Sequence, residues 1–157
     1  MTEPVLNLRP ALPGDAEAAA TLLIESRRRH LPYLPLVHGE ADVRRWVREQ
    51  LLPAGGVTLA EDEAGLAGLL AVSQGEGIAW IEQLYLRPGA TGRGIGRRLL
   101  LHALATLPRP VQLYTFQANT GARRFYARHG FVDLARGDGS GNEERCPDVL
   151  MRLEAGA

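Results

Sequence analysis

The chain contains no lysine, since all 18 of its basic residues are arginine. A Walker-type ATP site and Schiff-base catalysis both require a lysine side chain, so both are excluded. Cysteine is almost absent as well, because Cys146 is the only one. One thiol cannot form an internal disulfide or a thiolate-rich zinc site, and a chain without disulfides fits a reducing cytoplasm.

The sequence also lacks a net charge and a long apolar run. Its 18 acidic residues balance the basic ones, which argues against nucleic acid as a partner. The longest nearly unbroken apolar run, Leu66 to Val72, is far shorter than the roughly 20 residues of a membrane-spanning helix, so no membrane partner is expected. Met1 to Asp15 lacks the basic-then-apolar order of a secretory signal. We therefore predict a cytoplasmic protein.

Length and hydrophobic periodicity predict one α+β domain over residues 1–157, built on a mixed sheet. The three strands in the middle of the chain follow one another through short polar turns, which predicts an antiparallel meander. The predicted helices span about 16–29, 40–52, 95–107 and 120–129, and the predicted strands span 5–9, 57–61, 66–74, 78–86, 111–116, 131–135 and 149–153.

A glycine-rich turn, Gly92-Arg93-Gly94-Ile95-Gly96, stands between a predicted strand and a predicted helix. Backbone N–H groups at such a helix start can surround a phosphate, because glycine removes the Cβ atoms that would keep an anion away. Arg93, Arg97 and Arg98 add positive charge there. A simple strand-to-helix turn is the alternative. The spacing differs from the G-x-G-x-x-G of dinucleotide folds, which disfavours NAD.

Two motifs resemble the GNAT superfamily of acyl-CoA-dependent N-acetyltransferases. The first is Leu84-Tyr85-Leu86-Arg87-Pro88 leading into the glycine-rich turn, which is similar to the strand and pyrophosphate loop of that family. The second is Asn119-x-x-Ala122-x-x-Phe125-Tyr126-x-x-x-Gly130-Phe131, similar to a later helix of the family and the strand entry after it. One position departs: Thr91 stands where the family usually has glutamine or arginine. This affects a side-chain contribution but not the backbone cradle.

The resemblance implies a fold and a cosubstrate. It implies a mostly antiparallel sheet of about seven strands, flanked by about four helices, whose middle strands splay apart to admit the pantetheine arm of acetyl-CoA. The segment Leu84, Tyr85 and Leu86 would pair with the pantetheine amides through its backbone. The pyrophosphate would lie on the amides of Gly92, Arg93, Gly94, Ile95, Gly96 and Arg97. Asn119 would cap its helix and could also touch the cofactor.

Acetyl transfer from a thioester to an amine needs a group that takes a proton from the amine and a group that protonates the leaving sulfur. Glu82 is the candidate base, helped by burial or acting through water, because an amine pKa of about 10.4 lies far above a carboxyl pKa of about 4.3. Tyr126 is the candidate acid, since its phenol pKa of about 10 is within about two units of that of a thiol. By pattern alone, Glu82 could be a surface residue and Tyr126 a core residue.

The first hypothesis is an N-acetyltransferase that moves an acetyl group from acetyl-CoA to a primary amine of a small molecule or peptide, by direct attack in a ternary complex. A non-catalytic acyl-CoA sensor is the alternative, and a nucleotide-binding fold unrelated to coenzyme A is a third.

The four histidines and Cys146 show no spacing that indicates a metal or a nucleophile. The acceptor wall is expected to extend from the first predicted helix to the Gly39 loop and to include residues 136–148, where Glu143, Glu144 and Asp148 could attract a cationic amine or be merely solvated. The acceptor, the acyl preference and a homodimer stay open.

Overall fold

A seven-stranded sheet, in the order β1-β2-β3-β4-β5-β7-β6, forms the centre of the molecule. The computed structural model describes residues 5–156. Every pair of neighbouring strands is antiparallel except β4 and β5, which confirms the predicted mixed, mostly antiparallel α+β fold and its central meander. The elements are β1 Asn7–Pro10, α1 Ala16–His30, α2 Glu40–Trp46, β2 Val57–Asp62, β3 Gly65–Gly75, β4 Ile78–Leu86, α3 Ile95–Thr106, β5 Val111–Phe116, α4 Thr120–Arg128, β6 Val132–Gly137 and β7 Asp148–Leu153.

Both faces of the sheet are buried by helices. Successive residues of a strand point to opposite sides, so neighbouring residues enter different cores. In β3, Leu70 points into a core formed with α3 and α4, which also contains Leu99 and Phe131. The adjacent Leu69 points into a second core formed with α1 and α2, which contains Leu23. We call these two sides of the sheet the α3/α4 face and the α1/α2 face.

Most predicted element bounds agree with the structure to within two residues, and two of the differences follow from packing. The helix predicted over 40–52 is α2 followed by a π-helical turn, Val47–Leu51, in which the Leu52 N–H donates to the Val47 carbonyl (3.0 Å). The wider turn keeps Val47 and Leu51 buried on the α1/α2 face. The strand predicted over 131–135 begins one residue later, because Phe131 fills the α3/α4 core instead of joining the ladder.

Strands β4 and β5 separate soon after they meet. Their ladder contains only two pairs, Ala79 with Val111 and Trp80 with Gln112. Beyond these pairs β4 stays on β3, and β5 stays on β7 through Phe116. A β-bulge opposite Ala71 and Val72 leaves Glu82 without a cross-strand partner at the same point. A wedge-shaped gap, which we call the splay, therefore opens in the sheet, as the resemblance implied.

Within residues 5–156 no helix combines the length and the apolar character that crossing a membrane requires. The prediction about a secretory signal concerns Met1 to Asp15, and the first four of these residues lie outside the described range.

Candidate active site

The glycine-rich turn forms the N-terminal end of α3, beside the splay. Gly92 and Gly94 have φ angles of +77° and +80°, a conformation that L side chains rarely adopt. A Cβ atom on either would meet nothing within 4 Å, so the space above the turn is open. The first α3 hydrogen bond that follows the cap joins the Arg98 N–H to the Gly94 carbonyl (3.1 Å). The amides just before Arg98 lack an intrahelical acceptor and can hold an anion.

A buried carboxylate anchors the start of this turn. The Asp62 side chain, only 5% exposed, accepts hydrogen bonds from Nη2 (2.7 Å) and Nη1 (3.2 Å) of Arg87. Arg87 follows β4 directly and also donates to the Leu66 carbonyl (3.1 Å). The hydrogen bond from Arg87 holds the pKa of Asp62 below its usual value, so the carboxylate stays charged. The Arg93 guanidinium lies 3.8 Å from the same carboxylate. Sequence reasoning missed Asp62, because it interpreted residues 62–65 only as a polar turn.

The splay is lined by the segment predicted to face pantetheine. Leu84 and Leu86 pack toward the α3/α4 face, and Tyr85 packs toward the α1/α2 face. Burial raises the pKa of the Tyr85 phenol, and the charges of Arg27 and Glu144 act on it in opposite directions. Arg27 Nη2 and Glu144 Oε2 form an ion pair at 2.9 Å. This polar cluster joins α1, β4 and the loop between β6 and β7, and nothing in the local sequence indicated it.

Tyr126 lies on α4 and is buried at 8% exposure. Its ring makes edge contacts with Phe125 and Phe131, with centroid distances of 5.2 and 5.6 Å. Burial raises its pKa well above the usual tyrosine value, and Tyr85 raises it further. The phenol is therefore neutral and carries its proton throughout the physiological range. Its packing in the core is observed, and its role as a proton donor stays a prediction.

Asn119 is the N-cap of α4, as predicted, since its Oδ1 accepts a hydrogen bond from the Ala122 N–H (3.2 Å). Gly96, in the first turn of α3, lies between Leu86 of β4 and Phe125 of α4. The two motifs that are distant in sequence therefore meet at the splay. A contact between Asn119 and a cofactor stays a prediction.

Glu82 is exposed and lies in the β4 bulge. Its Oε1 accepts a hydrogen bond from the Ser73 hydroxyl (2.8 Å). Because Ser73 pairs with Trp80, this bond places the carboxylate on the α1/α2 face. Glu82 therefore lies on the face of the sheet opposite the core that contains Tyr126, and it is exposed, so its role as a base stays a prediction.

In the described part of the chain, no three His, Cys, Asp or Glu side chains lie close enough together to hold a metal ion. His38 lies near Glu143, with 3.0 Å between Nε2 and Oε2, and both side chains are exposed. Cys146 is partly buried, and its thiol donates to the Glu144 carbonyl (3.4 Å).

A model of the acetyltransferase (GNAT) family matches residues 23–131, more than half of the chain. The chain belongs to the GNAT family. The matched range includes the splay, the glycine-rich turn and α4, so the family and the geometry agree on the same region. This agreement leaves the nucleotide-binding fold unrelated to coenzyme A without support.

Solved structures share the fold over almost the whole chain. The apo form of YjaB from Escherichia coli has a TM-score of 0.76 at 22% identity, covering 98% of this chain and 99% of that one. The PaiA N-acetyltransferase from Thermoplasma acidophilum, in complex with coenzyme A, has a TM-score of 0.73 at 21% identity, covering 96% and 99%. The ribosomal-protein-S18-alanine N-acetyltransferase from Escherichia coli has a TM-score of 0.72 at 18% identity, covering 96% and 94%. A search of curated proteins finds no matching sequence.

Proposed function

We propose that this GNAT protein transfers an acetyl group from acetyl-CoA to a primary amine of a small molecule or peptide, by direct attack in a ternary complex. The observation that carries the proposal is the splay between β4 and β5, which opens beside the free amides at the start of α3. A neutral, buried phenol on α4 belongs to the core on the α3/α4 face of the same region. We further propose that one catalytic domain spans residues 1–157 and acts in the cytoplasm.

The features of this chain fit coenzyme A. The open space above Gly92 and Gly94 accommodates a diphosphate, with amides from Gly92 to Arg97 as donors and Arg93 nearby as a counter-charge. Among the described residues, the β4 edge that faces the splay has no strand partner after Trp80, so backbone groups near Leu84 and Leu86 are available to the pantetheine amides. When bound, acetyl-CoA supplies an activated carbonyl and a thiolate leaving group.

In the transfer step the amine nitrogen bonds to the acetyl carbon and the carbon–sulfur bond breaks. A cationic amine first releases one proton to water and attacks as the neutral amine. The proton that it then loses as the C–N bond forms goes to water or, through water, to Glu82, which is exposed on the α1/α2 face. The sulfur takes a proton from Tyr126, which regains one from solvent. Burial makes the phenol a weaker acid than the sequence suggested, so donation has to accompany the breaking of the carbon–sulfur bond.

The test is thiol release from acetyl-CoA with a panel of primary amines. We expect turnover with at least one amine, and Tyr126→Phe should lower kcat by about 10²-fold or more without changing the KM for acetyl-CoA. Inertness with every amine, or a Tyr126→Phe variant identical to the parent, would contradict the proposal.

A non-catalytic acyl-CoA sensor is the second candidate. Two observations favour it: Thr91 replaces the usual glutamine or arginine, and Glu82 is exposed instead of buried. Tight coenzyme A binding without turnover on any amine would support the sensor and exclude the transferase.

A further inference from the structure

A groove of about 590 Å³ lies against the last three strands and the loop that joins β6 to β7. Its position on the α1/α2 face follows from β5, where Val111 and Leu113 point into the opposite core. Tyr114 and Phe116 therefore point toward the groove, and Leu150 pairs with Tyr114 across β5 and β7. These three side chains give the groove an apolar floor.

The floor includes an exposed aromatic platform. Tyr114 is 62% exposed, although its ring stacks on Trp80 with 5.8 Å between centroids and 10° between planes. An aromatic pair held flat in this way offers its free face to a flat or branched apolar group. Trp80 is the last residue of β4 that pairs with β5, so the platform lies where the splay begins.

The wall of the groove is acidic. Asp138, Glu144 and Asp148 line it, and Arg136 is the one basic residue in its lining. Arg136 is already engaged, since its Nη2 donates to Asp133 (3.0 Å). Hydrogen bonding from Ser140, first from its side chain and second from its N–H (2.9 Å to Asp138 Oδ1), holds the pKa of Asp138 below its usual value, so it stays charged.

The groove also reaches the splay. Tyr114, Thr115 and Phe116 line the groove, and they follow Gln112, the last β5 residue that pairs with β4, so the groove borders the β5 side of the splay. A molecule in the groove could therefore direct one end toward a thioester in the splay. Its volume falls within the range of 300–1,000 Å³ typical of sites for small ligands.

We propose that this groove binds the acceptor, and that the acceptor is a primary amine with an aromatic or branched apolar body and no carboxylate. The inference rests on the proposed acetyl transfer. The exposed ring of Tyr114, held on Trp80, would contact the apolar body of the amine. Asp138 and Asp148 of the wall attract an ammonium group and repel a carboxylate, whereas Glu144 is already paired with Arg27, so free amino acids are disfavoured.

The experiment compares amines with the amino acids that carry the same side chain: tyramine with tyrosine, phenethylamine with phenylalanine, and isopentylamine with leucine. We expect kcat/KM to be at least about tenfold higher for each amine. Tyrosinamide keeps the bulk at the α-carbon without the negative charge, so it should resemble tyramine. If tyrosinamide is as poor as tyrosine, bulk and not charge explains the difference, and the acidic wall has no role.

Two variants test the groove itself, each with a matched control. Tyr114→Ala should raise the KM for tyramine about tenfold and leave the KM for acetyl-CoA unchanged. Leu134→Ala removes another exposed apolar side chain, on β6 outside the groove lining, and should change neither. Asp138→Asn should reduce the preference for tyramine over tyrosine. Glu154→Gln removes an exposed acid just after β7, outside the lining, and should preserve it.

The outcomes separate this inference from the proposed function. If tyramine and tyrosine have equal kcat/KM and Tyr114→Ala does not change the KM for tyramine, the groove is not the acceptor site, although the proposed acetyl transfer stands. If no amine is acetylated, calorimetry with the coenzyme A complex measures the same preference at equilibrium. Tighter binding of tyramine than of tyrosine would then support the groove although the transferase has failed, and equal or absent binding would overturn both.

Discussion

The two faces of the splay are built on different principles. On the α3/α4 face, the candidate cofactor site uses backbone amides and two glycines with positive φ, all from one continuous segment. On the α1/α2 face, the candidate acceptor site uses side chains from β5, β7, α1 and the loop between β6 and β7. A backbone site tolerates change in most side chains, whereas a side-chain site can change its ligand by a few substitutions. The comparison explains how one fold keeps a cosubstrate while its acceptor varies.

The largest expected effect of a substitution on stability is at Asp62, whose side chain holds Arg87 at the start of the glycine-rich turn. Asp62→Asn removes the buried negative charge that Arg87 faces, and it should lower the free energy of unfolding by about 2 kcal/mol. The KM for acetyl-CoA should rise several-fold while kcat with a good amine changes little. Chemical denaturation and steady-state kinetics measure the two effects.

The matched control for Asp62 is Asp42→Asn, because Asp42 pairs with Arg45 on an exposed helix surface. It should change stability by less than about 0.5 kcal/mol. The pKa of Asp62 is lowered by folding, so its stabilising effect is present above the unfolded value of about 3.9 and is lost as the pH falls below it. The stability difference between the parent and Asp62→Asn should therefore shrink toward pH 3. A constant difference would show that the charge does not matter.

A second test breaks the backbone site directly. Gly94→Ala forces a Cβ atom onto a φ of +80° and should cost roughly 1–2 kcal/mol of stability. The new methyl group also enters the open space above the turn, so coenzyme A should bind at least about tenfold more weakly, which corresponds to about 1.4 kcal/mol. Gly14→Ala, at a position with similarly open space and no positive φ, is the control and should leave binding unchanged. Unaltered affinity in Gly94→Ala would place the diphosphate elsewhere.

The same contrast explains what the sequence could predict. The order and type of the elements followed from periodicity. The candidate cofactor site was predicted from the glycine-rich turn together with the resemblance of the two motifs to GNAT, and it stays a prediction. Arg27 and Glu144 are 117 residues apart, and only the folded chain brings them together. Tyr114 occupies an ordinary strand position, and it is exposed because no helix within residues 5–156 covers that part of the α1/α2 face. Contacts between distant segments leave no local periodicity, so the acceptor side was not predictable in detail.

The smallest predicted effect is a change in the amine KM when Arg27 or Glu144 is substituted. The direction of that change, up or down, is what tests the role of the pair. Glu144→Gln leaves the Arg27 charge unpaired beside the groove, so the KM for a cationic amine should rise by roughly three- to fivefold. Arg27→Gln leaves Glu144 unpaired at a side-chain exposure of 14%, so the same KM should fall or stay constant. An ion pair that only held the fold would shift the KM in the same direction in both variants.

The double variant Arg27→Gln with Glu144→Gln completes this test, because it removes both charges and should bring the amine KM back toward the parent value. Arg28→Gln is the control, since Arg28 bonds to Glu40 on the exposed side of the same helix end. The KM for acetyl-CoA should remain constant throughout, because the pair lies on the α1/α2 face. Steady-state kinetics with varied amine and saturating acetyl-CoA give the amine KM of the parent and of the four variants. If the acetyl-CoA KM moved with the amine KM, the two faces of the splay would not be independent sites.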